Sequence, residues 1–151
     1  MSQGIERSNR TTLTQEAGYR FRVRFDQEGM PDLITDEPPP LGEGKGPNPS
    51  RLLATAVANC LASSLLFCLG KARIPVDGLE AEVVTEFTRN EAGRLRIGGI
   101  KVRLLPSWTP EVAEKAQRCL SIYEDFCVVT QAVRHGLPVE VRVEGVPPAA
   151  A

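Results

Sequence analysis

The sequence predicts an α+β fold: strands, one long helix, two more strands, further helices and a closing strand. Three observations predict it. A strict two-residue alternation of apolar and charged side chains sets in at Tyr19, and a second begins at Leu137. A long, almost wholly apolar helical stretch opens at Asn48-Pro49. The elements never settle into the regular strand–helix–strand alternation of a parallel sheet, and no internal repeat interrupts them.

Residues 1–17 are polar and unpatterned and read as a flexible N-terminal arm. Tyr19, Phe21, Val23 and Phe25 then alternate with Arg20, Arg22, Arg24 and Asp26, the period of a half-buried strand with one charged face. Gln27-Glu28-Gly29 turns the chain into a second strand near Asp32 to Thr35, and a Pro/Gly loop follows from Asp36 to Pro47. Asn48 can cap a helix and Pro49 suits its first position; the helix should run to Lys71, with Gly70, Arg73 and Pro75 marking its end. Its many small residues, among them Ala54, Ala58, Ala62 and Ser63, predict burial with close approach of a second helix. Strands over 79–88 and 95–105 flank a turn at Asn90 to Gly93. Thr109-Pro110 repeats the cap-and-proline signature and opens a helix to about Tyr123. A third helix over 125–134 ends at Gly136, which suits a left-handed C-terminal position, and a final strand covers Leu137 to Glu144. Residues 18–145 thus form one domain, and 146–151 are a tail.

The 151 residues are enough for a real hydrophobic core. Eighteen basic against nineteen acidic residues leave a net charge of −1, which speaks against nucleic acid or an anionic membrane as partner. No apolar run follows the N-terminal charges, so a secretory signal is not expected and the cytoplasm is. The apolar stretch Leu52 to Gly70 is broken by Thr55, Asn59, Ser63 and Ser64 and reads as a buried helix, not a membrane span. In a reducing compartment cysteines serve redox, catalytic or metal chemistry more often than they staple a fold.

Cysteines stand at positions 60, 68, 119 and 127. Cys60 and Cys68 share a helix, and eight residues separate them by about 12 Å of rise, beyond the reach of a disulfide. A partner for Cys60 must come from the C-terminal region or from another chain. Cys127 stands at the start of a helix, where free amides favour a thiolate. Cys60 lies mid-helix on a face with Leu53, Val57 and Ser64, where burial raises a thiol pKa unless a cation is near. A zinc site does not fit, because the spacings lack short Cys-x-x-Cys pairs. The default for each cysteine is an inert buried side chain.

Gly46-Pro47-Asn48-Pro49-Ser50-Arg51-Leu52-Leu53-Ala54, with Asn59-Cys60 downstream, resembles the helix that carries the first cysteine of the OsmC/Ohr family. Tyr123 to Thr130, with Cys127 followed by Val128-Val129-Thr130, resembles the second-cysteine motif, usually Cys-Pro-Val-Ser. The interval between the two and the element order from Tyr19 to Glu144 also suit that family. The resemblance implies antiparallel sheets packed around a long central helix in an intertwined homodimer, with two active sites at the subunit interface. It implies a peroxidase of oxidative stress defence: Cys60 attacks an organic hydroperoxide, Cys127 resolves the sulfenic acid to a disulfide, and an external lipoyl-type dithiol reduces it. It implies no bound cofactor and no metal.

The departures are specific. Ser50 stands where characterised members carry Glu, their activating Arg lies in the N-terminal strand region or just before the Gly-rich loop, where this chain has Pro40, and Val128 replaces the motif's Pro. Arg24 is the first candidate for a substitute cation, since its strand should pass near the helix start, and Arg51 is the second. A solvated strand face is the plainer reading of Arg20, Arg22 and Arg24. The alternative function is a non-catalytic stress protein that binds a small hydrophobic ligand at the dimer interface. Gly42 to Gly46 lacks a phosphate-loop pattern, and Pro47 and Pro49 remove amide donors, so it reads as a connector. His135, the only histidine, reads as a surface residue facing a helix end rather than a hydrolase base, and Trp108 as a packing anchor.

Overall fold

The computed structural model describes residues 4–145. The element order is β1 (Thr11–Ala17), β2 (Arg20–Phe25), β3 (Leu33–Thr35), α1 (Pro49–Lys71), β4 (Gly78–Arg89), β5 (Leu95–Ser107), α2 (Pro110–Lys115), α3 (Gln117–Ile122), a 3-10 turn (Tyr123–Phe126) and α4 (Val128–His135). The fold is α+β, with antiparallel strands and one long helix. The chain divides into two compact units: residues up to 58 with 82–103, and 59–81 with the residues from 104 on.

The first unit holds the sheet β1-β2-β3. β1 pairs with β2 from Thr11↔Phe25 to Ala17↔Arg20, and β2 pairs with β3 from Phe21↔Thr35 to Val23↔Leu33. β1 corrects the expected arm over its last seven residues. Every residue of β1 is exposed, so backbone pairing alone makes the strand, and no apolar face marks it in the sequence. On β2 the alternation holds: Val23 is buried, while Arg22 pairs with Glu16 at 2.6 Å and Asp32 at 3.4 Å, and Arg24 with Asp32 at 3.7 Å.

Past β3 the chain is tied to Asp36, a buried carboxylate that accepts from the backbone N–H of Glu37 at 2.9 Å, Glu43 at 3.2 Å and Lys45 at 3.1 Å. A side chain at Gly42 would meet the Glu37 carbonyl, and one at Gly46 the Ile34 carbonyl of β3, so close packing of backbone on backbone demands these two glycines. Asn48 then caps α1 as its type suggests, its Oδ1 accepting from Arg51 N–H at 3.1 Å.

In the second unit the core is Leu65, Leu69, Ala116 and Cys119, with Trp108, Tyr123, Ile74 and Leu104 packed against it. Trp108 is the anchor its position suggested. α1 ends at Lys71 in a two-bond C-terminal motif: Arg73 N–H donates to Gly70 O at 3.1 Å and Ile74 N–H to Leu69 O at 2.9 Å. The residue in the left-handed conformation there is Arg73, φ 57°, where glycine is usual. Thr109 caps α2, accepting from Val112 N–H at 3.4 Å. The helix expected to reach Tyr123 is interrupted at fully buried Ala116, and α4 begins at Val128 rather than Asp125. Gly136 closes α4 with φ 78° and ψ 161°, a region open to glycine alone but not the left-handed helical one expected.

The closing strand over Leu137 to Glu144 is not formed. Its alternating apolar residues stand in solvent, Val139 80% and Val141 78% exposed, and among the described residues no strand pairs with them. A strand pattern becomes a strand only when it pairs with an edge, and among the described residues this segment pairs with none. The expected tail, 146–151, lies outside the described residues.

Candidate functional site

The second unit brings Cys60 and Cys127 together. Cys60 projects from α1 and is half-buried; Cys127 is the residue before α4 and is fully buried, at 0% exposure. Each thiol shifts the pKa of the other, Cys60 upward and Cys127 downward. The link is the one that elimination along α1 left open for Cys60, a partner from the C-terminal region. Local sequence explains the placement. The extended conformation of Cys127, φ −80° and ψ 97°, is that of an N-cap, and it leaves the first N–H groups of α4 without helical acceptors.

Those free amides address the two sulfurs. The backbone N–H groups of Val129 and Thr130 act to lower the Cys60 pKa, and that of Thr130 to lower the Cys127 pKa. Cys127 Sγ lies 2.9 Å from Thr130 Oγ1, and the Ser64 hydroxyl completes its surroundings. Thr130 and Ser64 are buried polar residues whose hydroxyls are thereby satisfied. Ser64 sits one turn beyond Cys60 on the same face of α1, the i+4 position. Sequence reasoning placed Ser64 on that face and Thr130 within the second-cysteine motif without giving either a role; a hydroxyl at i+4 from one cysteine and at i+3 from the other is the signal that could have found both.

The electrostatics separate the two thiols. Burial pushes the Cys60 pKa up, and the hydrogen bond with Cys127 adds to this against the lowering pull of the Val129 and Thr130 amides. Burial also works to raise Cys127, but the hydrogen bonds from Cys60, Thr130 and Ser64 prevail, and its pKa falls below the ordinary thiol value. Of the two thiols Cys127 is therefore the more readily ionised, the direction expected for a thiol at a helix start. Tyr123 beside the pair is held above its usual range, first by burial and then by Glu124.

The remaining cysteines form a second pair. Burial, then Cys68, pushes the Cys119 pKa up to about 11. His135 is exposed, with Nδ1 2.7 Å from the Gln131 carbonyl oxygen of its own helix, the surface role expected of it. Arg24 and Arg51 belong to the first unit; Arg24 engages Asp32, and the Arg51 N–H engages the Asn48 cap.

Comparison with solved structures places this architecture among known folds. An organic hydroperoxide resistance protein OsmC from Legionella pneumophila superposes with a TM-score of 0.66 at 17% identity, over 87% of this chain and 92% of that one. The organic hydroperoxide resistance protein OhrB of Bacillus subtilis gives 0.61 at 23% identity, over 84% and 90%. An OsmC-like protein from Mycoplasma pneumoniae gives 0.70 at 15% identity, over 86% and 89%. None of the curated proteins matches the sequence significantly. The family model described as OsmC-like protein matches residues 42–142, a span that contains α1, both cysteines of the pair and α4. This chain belongs to the OsmC-like protein family.

Proposed function

We propose that the chain is a cysteine-based peroxidase that reduces organic hydroperoxides to alcohols, with Cys60 attacking and Cys127 resolving. The observation that carries this reading is the pair of cysteines at the start of α4 that shift each other's pKa, with one member reachable and the other fully buried. Two proteins of the same fold are described as organic hydroperoxide resistance proteins, which agrees with it.

The chemistry follows from the pair. Attack requires a thiolate, and only Cys60 is open to solvent, so the Cys60 proton passes to Cys127 as Cys60 Sγ bonds to the outer peroxide oxygen. The O–O bond breaks, the alkoxide takes a proton from solvent and leaves as the alcohol, and Cys60 becomes a sulfenic acid. Cys127 then displaces the hydroxyl, water departs, and a Cys60–Cys127 disulfide remains. A lipoyl-type dithiol supplies two electrons and two protons to restore both thiols. Arg24, with Arg51 second, is the cation proposed to ease charge onto Cys60. The setting is a cytoplasmic homodimer in oxidative stress defence, without bound cofactor.

A second reading has an observation of its own. Ser50 occupies the place of the usual Glu, its hydroxyl donating to Asn48 Oδ1 at 3.1 Å, and the Cys60 pKa is raised. These favour a non-catalytic stress protein that holds a small hydrophobic ligand at a dimer interface. Hydroperoxide consumption with reduced lipoamide separates the two. Turnover that disappears in both Cys60→Ser and Cys127→Ser, with peptide mapping that finds the Cys60–Cys127 bridge, is the expected result. No consumption, or a main bridge through Cys68 or Cys119, would overturn the peroxidase reading.

A further inference from the structure

A cavity of about 690 Å³ opens in the second unit beside the end of α1, away from the Cys60–Cys127 pair. Four cations line it: Lys71, Arg73, Lys115 and Arg118. No acidic residue is among its lining residues, and among the described residues none of the four cations is in an ion pair. The walls between them are apolar, from Ile74, Val112 and Ile122. Four positive charges outside any ion pair, with Lys71 Nζ also 5.5 Å from the centre of the Phe67 ring, are unexpected around one hollow in a chain whose net charge is −1.

Two of the four have a local reason to be there. Lys71 and Lys115 close the last turns of α1 and α2, where a cation complements the helix dipole. The other two stand against local preference. Arg118 lies in the first turn of α3, the end at which the dipole disfavours positive charge. Arg73 occupies the left-handed position of the α1 C-terminal motif, where a side chain costs free energy that glycine avoids. Side chains that oppose their local setting and converge on one cavity point to a purpose at that cavity.

We propose that this cavity binds an amphiphilic anion, a medium-chain carboxylate, with its head group on the four cations and its hydrocarbon chain along the apolar wall. Cationic head-group contacts and an apolar wall are the two halves such a molecule needs. Cys68 and Cys119 also line the cavity, so an occupant would shield Cys68 from alkylation.

Calorimetric titration of the reduced, full-length protein with sodium decanoate, decanol and inorganic phosphate tests the proposal. Decanoate should bind saturably, one per chain, and more tightly than decanol or phosphate by about tenfold or more, as loss of one good charged contact implies. Arg73→Gly and Arg118→Gln should each weaken decanoate by about tenfold while leaving the thermal midpoint unchanged or raised, since both relieve a local conflict. Decanoate should slow alkylation of Cys68 but not of Cys60, as read by peptide mapping. Decanol binding as tightly as decanoate, wild-type affinity in the double variant, or protection confined to Cys60 would each overturn it, as would the absence of saturable binding.

Discussion

At Cys127 two influences on a thiol oppose each other. Burial favours the neutral form, and three hydrogen-bonding neighbours favour the charge and win. A depressed pKa gives the folded state a contribution present above the ordinary thiol value, near 8.5, and lost as pH falls through the depressed one. Cys60, raised first by burial, contributes in the opposite sense: its share is present below the ordinary value and lost as pH rises through the raised one. The pair should therefore titrate in two steps, one on each side of a free cysteine. Removing the Thr130 hydroxyl takes away about 1 kcal/mol of thiolate stabilisation. Thr130→Val should accordingly move the first step up in an alkylation profile and slow hydroperoxide consumption severalfold. Arg24→Ala and Arg51→Ala should raise the Cys60 step while the protein stays folded. If the Cys60 profile is unchanged in both, the guanidinium has no part in activation.

Individual elements stand on local interactions that substitution can reach. Gly46 faces the Ile34 carbonyl of β3, and a methyl group there forces backbone apart from backbone. Gly46→Ala should cost roughly 1–3 kcal/mol, measurable in a thermal or denaturant melt. The Asp36 loop should loosen on acidification. The Lys45 amide, against burial and with help from Glu43 and Glu37, holds this carboxyl below its usual range. Its contribution is complete above the ordinary carboxylate pKa and vanishes as pH falls through the depressed value. Elements with local signals were legible in the sequence: Asn48 and Thr109 as caps, the Tyr19 alternation, the Asn90 to Gly93 turn. The cysteine pairing was legible only through family resemblance and the exclusion of Cys68. β1 carries no apolar period because neither face is buried, so nothing announced it. Leu137 to Glu144 announced a strand that a single chain does not complete. The end of α1 at Lys71 was legible from Gly70, Arg73 and Pro75, but not that Arg73 itself takes the left-handed position where glycine is usual.

For the whole molecule the open question is what covers its apolar surface. α1 is long and apolar enough to cross a membrane, with a mean hydropathy of 2.0 over its most apolar window, yet only 39% of that window is buried within the chain. Leu66, Phe67, Phe126, Val128 and the alternating residues from Leu137 to Val143 are exposed as well. Surfaces of that kind mark an interface. A homodimer is the partner the proposed function names, and the unpaired 137–144 segment is suited to adding to a second copy's sheet edge. Light scattering at micromolar concentration should report a dimer, and Val141→Lys should raise its dissociation constant by at least about tenfold, as expected when a buried apolar contact is replaced by a charge. A wild-type monomer at that concentration would contradict the assembly.

The complete burial of Cys127 also dictates how a disulfide at this site would be opened. An incoming thiolate can touch only the Cys60 sulfur, so the mixed disulfide must form there and Cys127 must depart. The better leaving group in such an exchange is the sulfur of lower pKa. Ser64 and Thr130 lower the Cys127 pKa, so these hydroxyls would favour the same departure that its burial imposes.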